Sequence, residues 1–130
     1  MLKKRNGFTL VELLIVIVII GILAAMAIPK FAATKEKAYM ARMKSDLRNV
    51  ATAEEAYFSD NAIYFGGGIP SASLMYNPSQ GVTVVINGAD ASGWAATASS
   101  VGTTRQCQVF YGTAGPNGVA TTEGSVACTP

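Results

Sequence analysis

The 130-residue sequence has no histidine and only two cysteines, Cys107 and Cys128. The missing imidazole removes the commonest general base and the commonest zinc ligand. No reactive free thiol stands out, no paired acids share a strand-like run, and no glycine-rich loop follows a strand. The run Gly66-Gly67-Gly68 is a flexible joint, not a phosphate cradle. Carboxylates are sparse after it, with only Asp90 and Glu123, too few to cage a hard cation. No Asn-x-Ser/Thr glycan acceptor has an allowed middle residue. An enzyme is therefore the weakest reading, and neither a cofactor nor a metal site is expected.

The sequence does have a lopsided distribution of grease and charge. Apolar residues make up 50% but crowd into the first third, while Gly, Ser, Thr and Ala dominate the rest. The core of any globular part is small, and folds of that size often need a covalent staple. The formal net charge of +2 averages over three blocks. Lys3, Lys4 and Arg5 precede the apolar run. From Lys30 to Arg48, six basic residues face two acidic ones, a net of +4. From Asn49 on, five acids face Arg105 alone, a net of −4. Without its first seven residues the chain, now including Glu12, sums to −1. Charge so divided suits subunits stacking with opposite signs in register.

Phe8 to Pro29 is 22 residues with a single charge, Glu12. As a helix it spans about 33 Å, enough for a bilayer core of about 30 Å, with the basic block kept on the cytoplasmic side. An ordinary secretory signal cut near Ala24-Ala25-Met26-Ala27 and a plain single-pass anchor both fit the hydropathy. Neither accounts for Glu12, four residues inside the run. An acid at membrane depth costs on the order of 3 kcal/mol on insertion scales and is normally kept for a partner.

The stretch Lys3-Lys4-Arg5-Asn6-Gly7-Phe8-Thr9-Leu10-Val11-Glu12-Leu13-Leu14-Ile15-Val16 resembles the class III signal of type IV prepilins and type II secretion pseudopilins, most closely the type IVa pilins. In that family a short basic leader ends in Gly, Phe usually follows, and a Glu stands fifth after the cut. Gly21-Ile22-Leu23-Ala24-Ala25 and Ile28-Pro29 continue the likeness, which covers about a third of the chain, Lys3 to Arg48. It implies cleavage between Gly7 and Phe8 by a prepilin peptidase, N-methylation of Phe8, and a role for Glu12 in aligning subunits. Glu12 would pair with the cationic terminus of its own or a neighbouring subunit, because an unpaired buried carboxylate is costly. Gly7, with no side chain, suits extended backbone in a protease cleft. Pro29 removes a backbone donor, and with Gly21 marks a segment that either kinks at the membrane surface or melts on filament entry.

From Lys30 to about Asp60 the pattern is helical again. Met40, Met43, Leu47, Val50 and Tyr57 form a narrow apolar stripe, with most basic residues on other faces. Ser59-Asp60-Asn61 and the glycine run end the helix, giving one helix of about 50 residues. Phe8, Phe31, Tyr39, Tyr57, Phe58, Tyr64 and Phe65 line the helix and its exit, where packing accounts for them. Beyond Gly68, Val82–Ile86, Trp94–Ser99 and Gln106–Tyr111 read as strands. Asn87 to Gly93 reads as a turn-rich connector, and a weak edge strand follows Pro116-Asn117-Gly118. The membrane signal places Cys107 and Cys128 outside the cytoplasm, where a disulfide can form; two unpaired buried thiols are the alternative. The pair resembles the C-terminal disulfide loop of many type IV pilins.

The expected fold is α+β: a long N-terminal helix, half transmembrane and half amphipathic, on a small antiparallel sheet with a C-terminal disulfide loop. The expected organisation is a leader over 1–7, a membrane and filament-core helix over 8–29, an amphipathic half over 30–61, and a globular head over 62–130. The resemblance implies a structural subunit of a homo-oligomeric helical filament. Its partners would be the inner membrane, the prepilin peptidase and the pilus assembly machinery, and its final location the cell surface. The alternatives are a type II secretion pseudopilin, which usually lacks this disulfide and carries a calcium site, and a filament-tip module binding DNA. The last is poorly supported, since Arg105 is the only basic residue of the globular part.

Overall fold

The computed structural model describes residues 7–130. The basic leader residues 1–6, with Lys3, Lys4 and Arg5, lie outside the described residues. The elements are α1 (Leu10–Asn61), β1 (Val82–Ala89), β2 (Gly93–Ser100), β3 (Gln106–Gly112) and β4 (Ala127–Cys128). The strands form one antiparallel sheet in the order β1-β2-β3-β4. By contacts the chain divides into Met1–Lys35 and Glu36–Pro130.

In the first unit every described residue, Gly7 to Lys35, is exposed. The helix there is apolar on all faces, with a window of mean hydropathy 3.0 and no burial. A helix greasy all round needs lipid or other helices around it. It continues through Gly21 and Pro29 without a break.

In the second unit the amphipathic stripe behaves as its spacing predicts. Met43, Leu47 and Val50 are fully buried, and Met40 packs beside them. They meet Val82 and Val84 of β1, Trp94, Ala96 and Ala98 of β2, and Cys107 and Val109 of β3. These residues alternate along each strand, so one face of the sheet lies on the helix. The small side chains of β2 let helix and sheet approach closely. Trp94 fills the remaining width, stacked on Tyr111 with ring centroids 5.0 Å apart.

Two sequence expectations need correction. Asn87, Gly88 and Ala89 are not a connector: they extend β1, with a bulge between Ile86 and Gly88. The turn is only Asp90 to Ser92. There the Asp90 carboxylate accepts the Ser92 amide and hydroxyl at 2.6 and 2.7 Å and the Gly93 amide at 2.9 Å, tying the turn with its own side chain. The edge strand does not directly follow Pro116-Asn117-Gly118. Asn117 and Ala120 make an isolated bridge, and the fourth strand is Ala127–Cys128. The structure adds a feature with no sequence signal: the loop between β3 and β4 packs on the sheet, with fully buried Ala120 against Ala95 and Phe110.

Cys107 and Cys128 are directly paired in the β3–β4 register and are joined by a disulfide. Neither thiol is free. Thr129 N–H donates to the Gln106 carbonyl at 2.8 Å and Gln106 N–H to Thr129 Oγ1 at 3.0 Å, so the C-terminal end is both bonded and stapled to β3.

Candidate functional site

The residues that the motif singles out lie at the start of α1. Gly7 and Phe8 are exposed, Phe8 to 83%, and a side chain added at Gly7 would meet nothing within 4 Å. Gly21 is equally open: a side chain added there would meet nothing within 4 Å among the described residues.

Glu12 is built into the helix start in a way that its apolar setting concealed. Thr9 N–H and Thr9 Oγ1 both donate to Glu12 Oε2 at 2.8 Å, and Glu12 N–H donates back to Thr9 Oγ1 at 3.3 Å. Thr9 is the N-cap and Glu12 the third helical residue, the reciprocal arrangement of a capping box. The spacing Thr-x-x-Glu was visible in the sequence, but an acid amid apolar residues reads first as a partner for something else. The box holds the carboxylate at the positive end of the helix dipole and fixes its rotamer. Thr9→Ala should cost the first turn about 1 kcal/mol, seen as faster amide exchange at Leu10 to Leu13.

Two further acids of α1 went unnoticed in the sequence. Asp46 and Glu54 are buried to 2% and 0% exposure, on the same face as Met43, Leu47 and Val50. The Asp46 carboxylate accepts the Ser79 hydroxyl at 3.0 Å and the Ser79 amide at 3.2 Å, while its carbonyl accepts the Tyr76 hydroxyl at 3.3 Å. The Glu54 carboxylate accepts the Phe65 amide at 2.8 Å. Each acid thus pins one end of the strandless stretch between α1 and β1. Positions 43, 46, 47, 50 and 54 share a helix face, and that periodicity was the signal available. At the near end of this unit, Glu36 accepts Thr103 Oγ1 at 2.5 Å and pairs with Arg105 at 3.4 Å. The globular part's only basic residue is therefore engaged. Among the described residues no cluster of three or more metal-ligating side chains occurs.

A model of the prokaryotic N-terminal methylation motif matches residues 2–28. The N-terminal helix thus carries this methylation motif, and the likeness to known proteins runs through it. It is 43% identical over 61 residues to the type IV major pilin protein PilA of Myxococcus xanthus, covering 47% of this chain and 28% of that protein. It is 37% identical over 62 residues to the type II secretion system core protein G of Pseudomonas aeruginosa, covering 48% of this chain and 44% of the relative. The corresponding protein of Vibrio cholerae is 38% identical over 63 residues, covering 48% and 43%. The chain spans less than half the length of these curated relatives. The family likeness thus lies in the methylation helix, and the sheet and disulfide loop stand on this chain's own residues.

Proposed function

We propose that this chain is the structural subunit of a type IV pilus filament. In this reading residues 1–7 are a leader removed between Gly7 and Phe8, and Phe8 becomes the methylated N-terminus. The segment 8–29 anchors the precursor in the inner membrane and then forms the filament core. The segment 30–61 is the amphipathic half, and 62–130 is the head facing outward. The carrying observation is a helix whose whole apolar surface is exposed, with a carboxylate capped in place at its start. That surface must be covered, first by lipid and then by the same helices of sister subunits.

Cleavage at Phe8 creates a cationic amine one residue before the N-cap, within reach of Glu12. Because the capping box already orients the carboxylate, an incoming terminus meets a fixed acceptor. Gly21 and Pro29 give the helix its weak points for loosening on assembly. The function is scaffolding, with no catalytic step.

The test is a mass spectrum of sheared surface filaments. A chain beginning at methylated Phe8, two mass units light from the disulfide, is expected. A subunit retaining Met1, or one beginning after Ala27, would overturn the reading.

A second reading, a type II secretion pseudopilin, has its own support: several of the relatives matching the N-terminal half are core protein G. Deleting the gene separates the two. Loss of surface filaments marks a pilin, whereas secreted enzymes retained in the cell mark a pseudopilin.

A further inference from the structure

Glu54 takes no part in the assembly chemistry, yet it is the most unusual group in the second unit. Its side chain is fully buried. One oxygen holds the Phe65 amide at 2.8 Å, and the other has no hydrogen-bond partner among the described residues. The segment it holds is the chain's exit from α1. That exit turns through Ala62 at a φ of 55° and lays Tyr64 on Phe58 and Phe65 against Tyr57.

The surroundings of Glu54 favour a proton. From its own helix comes Glu55, which accepts the Tyr64 hydroxyl at 3.1 Å. From the segment above come the Phe65 amide and the Tyr64 phenol, which also senses Glu123 of the disulfide loop. From the sheet, the buried residues of the shared core are Val82, Val84, Trp94, Ala96, Ala98, Val109 and disulfide-bonded Cys107, none of them ionisable. No cation is among the groups acting on the carboxyl. Burial pushes it from its ordinary 4.5 up to about 7, against the pull of the Phe65 amide and with a smaller push from Glu55.

We propose that Glu54 is a pH-responsive clasp for residues 62–68, closed when its carboxyl is protonated and released when it ionises. As a neutral acid it keeps the Phe65 bond at little cost. As an anion its unpartnered oxygen needs water, which is reached only by lifting the segment. The sign follows from linkage. The closed state holds the proton more tightly than the open one, so closure is fully favoured below pH 4.5. It weakens as pH rises and levels off above about 7. Between those limits the opening constant should rise about tenfold per pH unit.

Hydrogen exchange followed by mass spectrometry on the full chain in detergent micelles tests this, with rates corrected for intrinsic pH dependence. Protection of peptides covering 62–68 should fall roughly fortyfold from pH 5 to pH 7 and level off by about pH 8. Glu54→Gln, which keeps the acceptor but cannot ionise, should be flat. Glu55→Gln, which removes the smaller push on the Glu54 carboxyl, should make exchange level off at lower pH with a smaller total fall, and with the wild-type profile it decides the matter should Glu54→Gln fail to fold. The emission of Trp94, the only tryptophan, should stay constant throughout. A flat wild-type profile, a pH-dependent Glu54→Gln, or Trp94 emission shifting in parallel with exchange would each overturn the clasp.

Discussion

Glu12→Ala should abolish filament formation while leaving the precursor in the inner membrane. An acid at membrane depth is disfavoured by on the order of 3 kcal/mol, so its removal helps insertion rather than harming it. On the proposed function, what is lost is the acceptor for the neighbouring terminus. That terminus would then sit unpaired in an apolar core, at a cost of about 3–5 kcal/mol per subunit contact. Multiplied along a fibre, this is far more than a polymer tolerates. Glu12→Gln keeps the shape and the Thr9 bond but not the charge, and should fail as well. Immunoblots of sheared filaments against the membrane fraction read both effects. Normal filament yield from Glu12→Ala would remove the basis of the proposed function.

Cys107→Ser with Cys128→Ser should cost the head about 3 kcal/mol by the chain-entropy estimate for a loop of this length. For a unit of this size that lowers Tm by roughly 15 °C. Trp94 fluorescence during heating in detergent, with and without reductant, measures it. Two features favour a full effect. β4 has only two residues and cannot hold itself to β3. The loop it anchors covers Ala95 and Phe110 through Ala120, so losing the anchor also wets the outer face of the sheet. A fall of only 1–2 °C would mean that the Gln106–Thr129 hydrogen bonds suffice alone.

Much of this architecture was legible in the sequence because two periodicities carry it. The helix from Leu10 to Asn61 follows from unbroken grease followed by the Met40–Tyr57 stripe. The three long strands begin or end within a few residues of where their alternation does. The boundaries that slipped were set by pairing rather than by local preference. Asn87-Gly88-Ala89 has turn composition, but β2 offers it a ladder, and a bulge absorbs the misfit. Β4 was invisible because two residues make no pattern, and its position depends on Cys107 standing opposite Cys128. The motif residues Gly7, Phe8 and Glu12 are named by the resemblance, not by any local pattern of the chain. The bond from Thr9 to Glu12 could have been read from spacing, had the apolar setting not drawn attention away. Asp46 and Glu54 were read only as charges. Their burial depends on which backbone amides the chain between α1 and β1 presents, and composition does not carry that.

The cystine between β3 and β4 has a practical corollary. A protease that cuts anywhere from Thr113 to Val126 leaves the two pieces held as one molecule, since both flank the Cys107–Cys128 rung. Threonine, glutamate, glycine and serine side chains fill the exposed positions Thr121 to Ser125. The nicked chain should therefore keep its mass until a reducing agent frees a short C-terminal peptide.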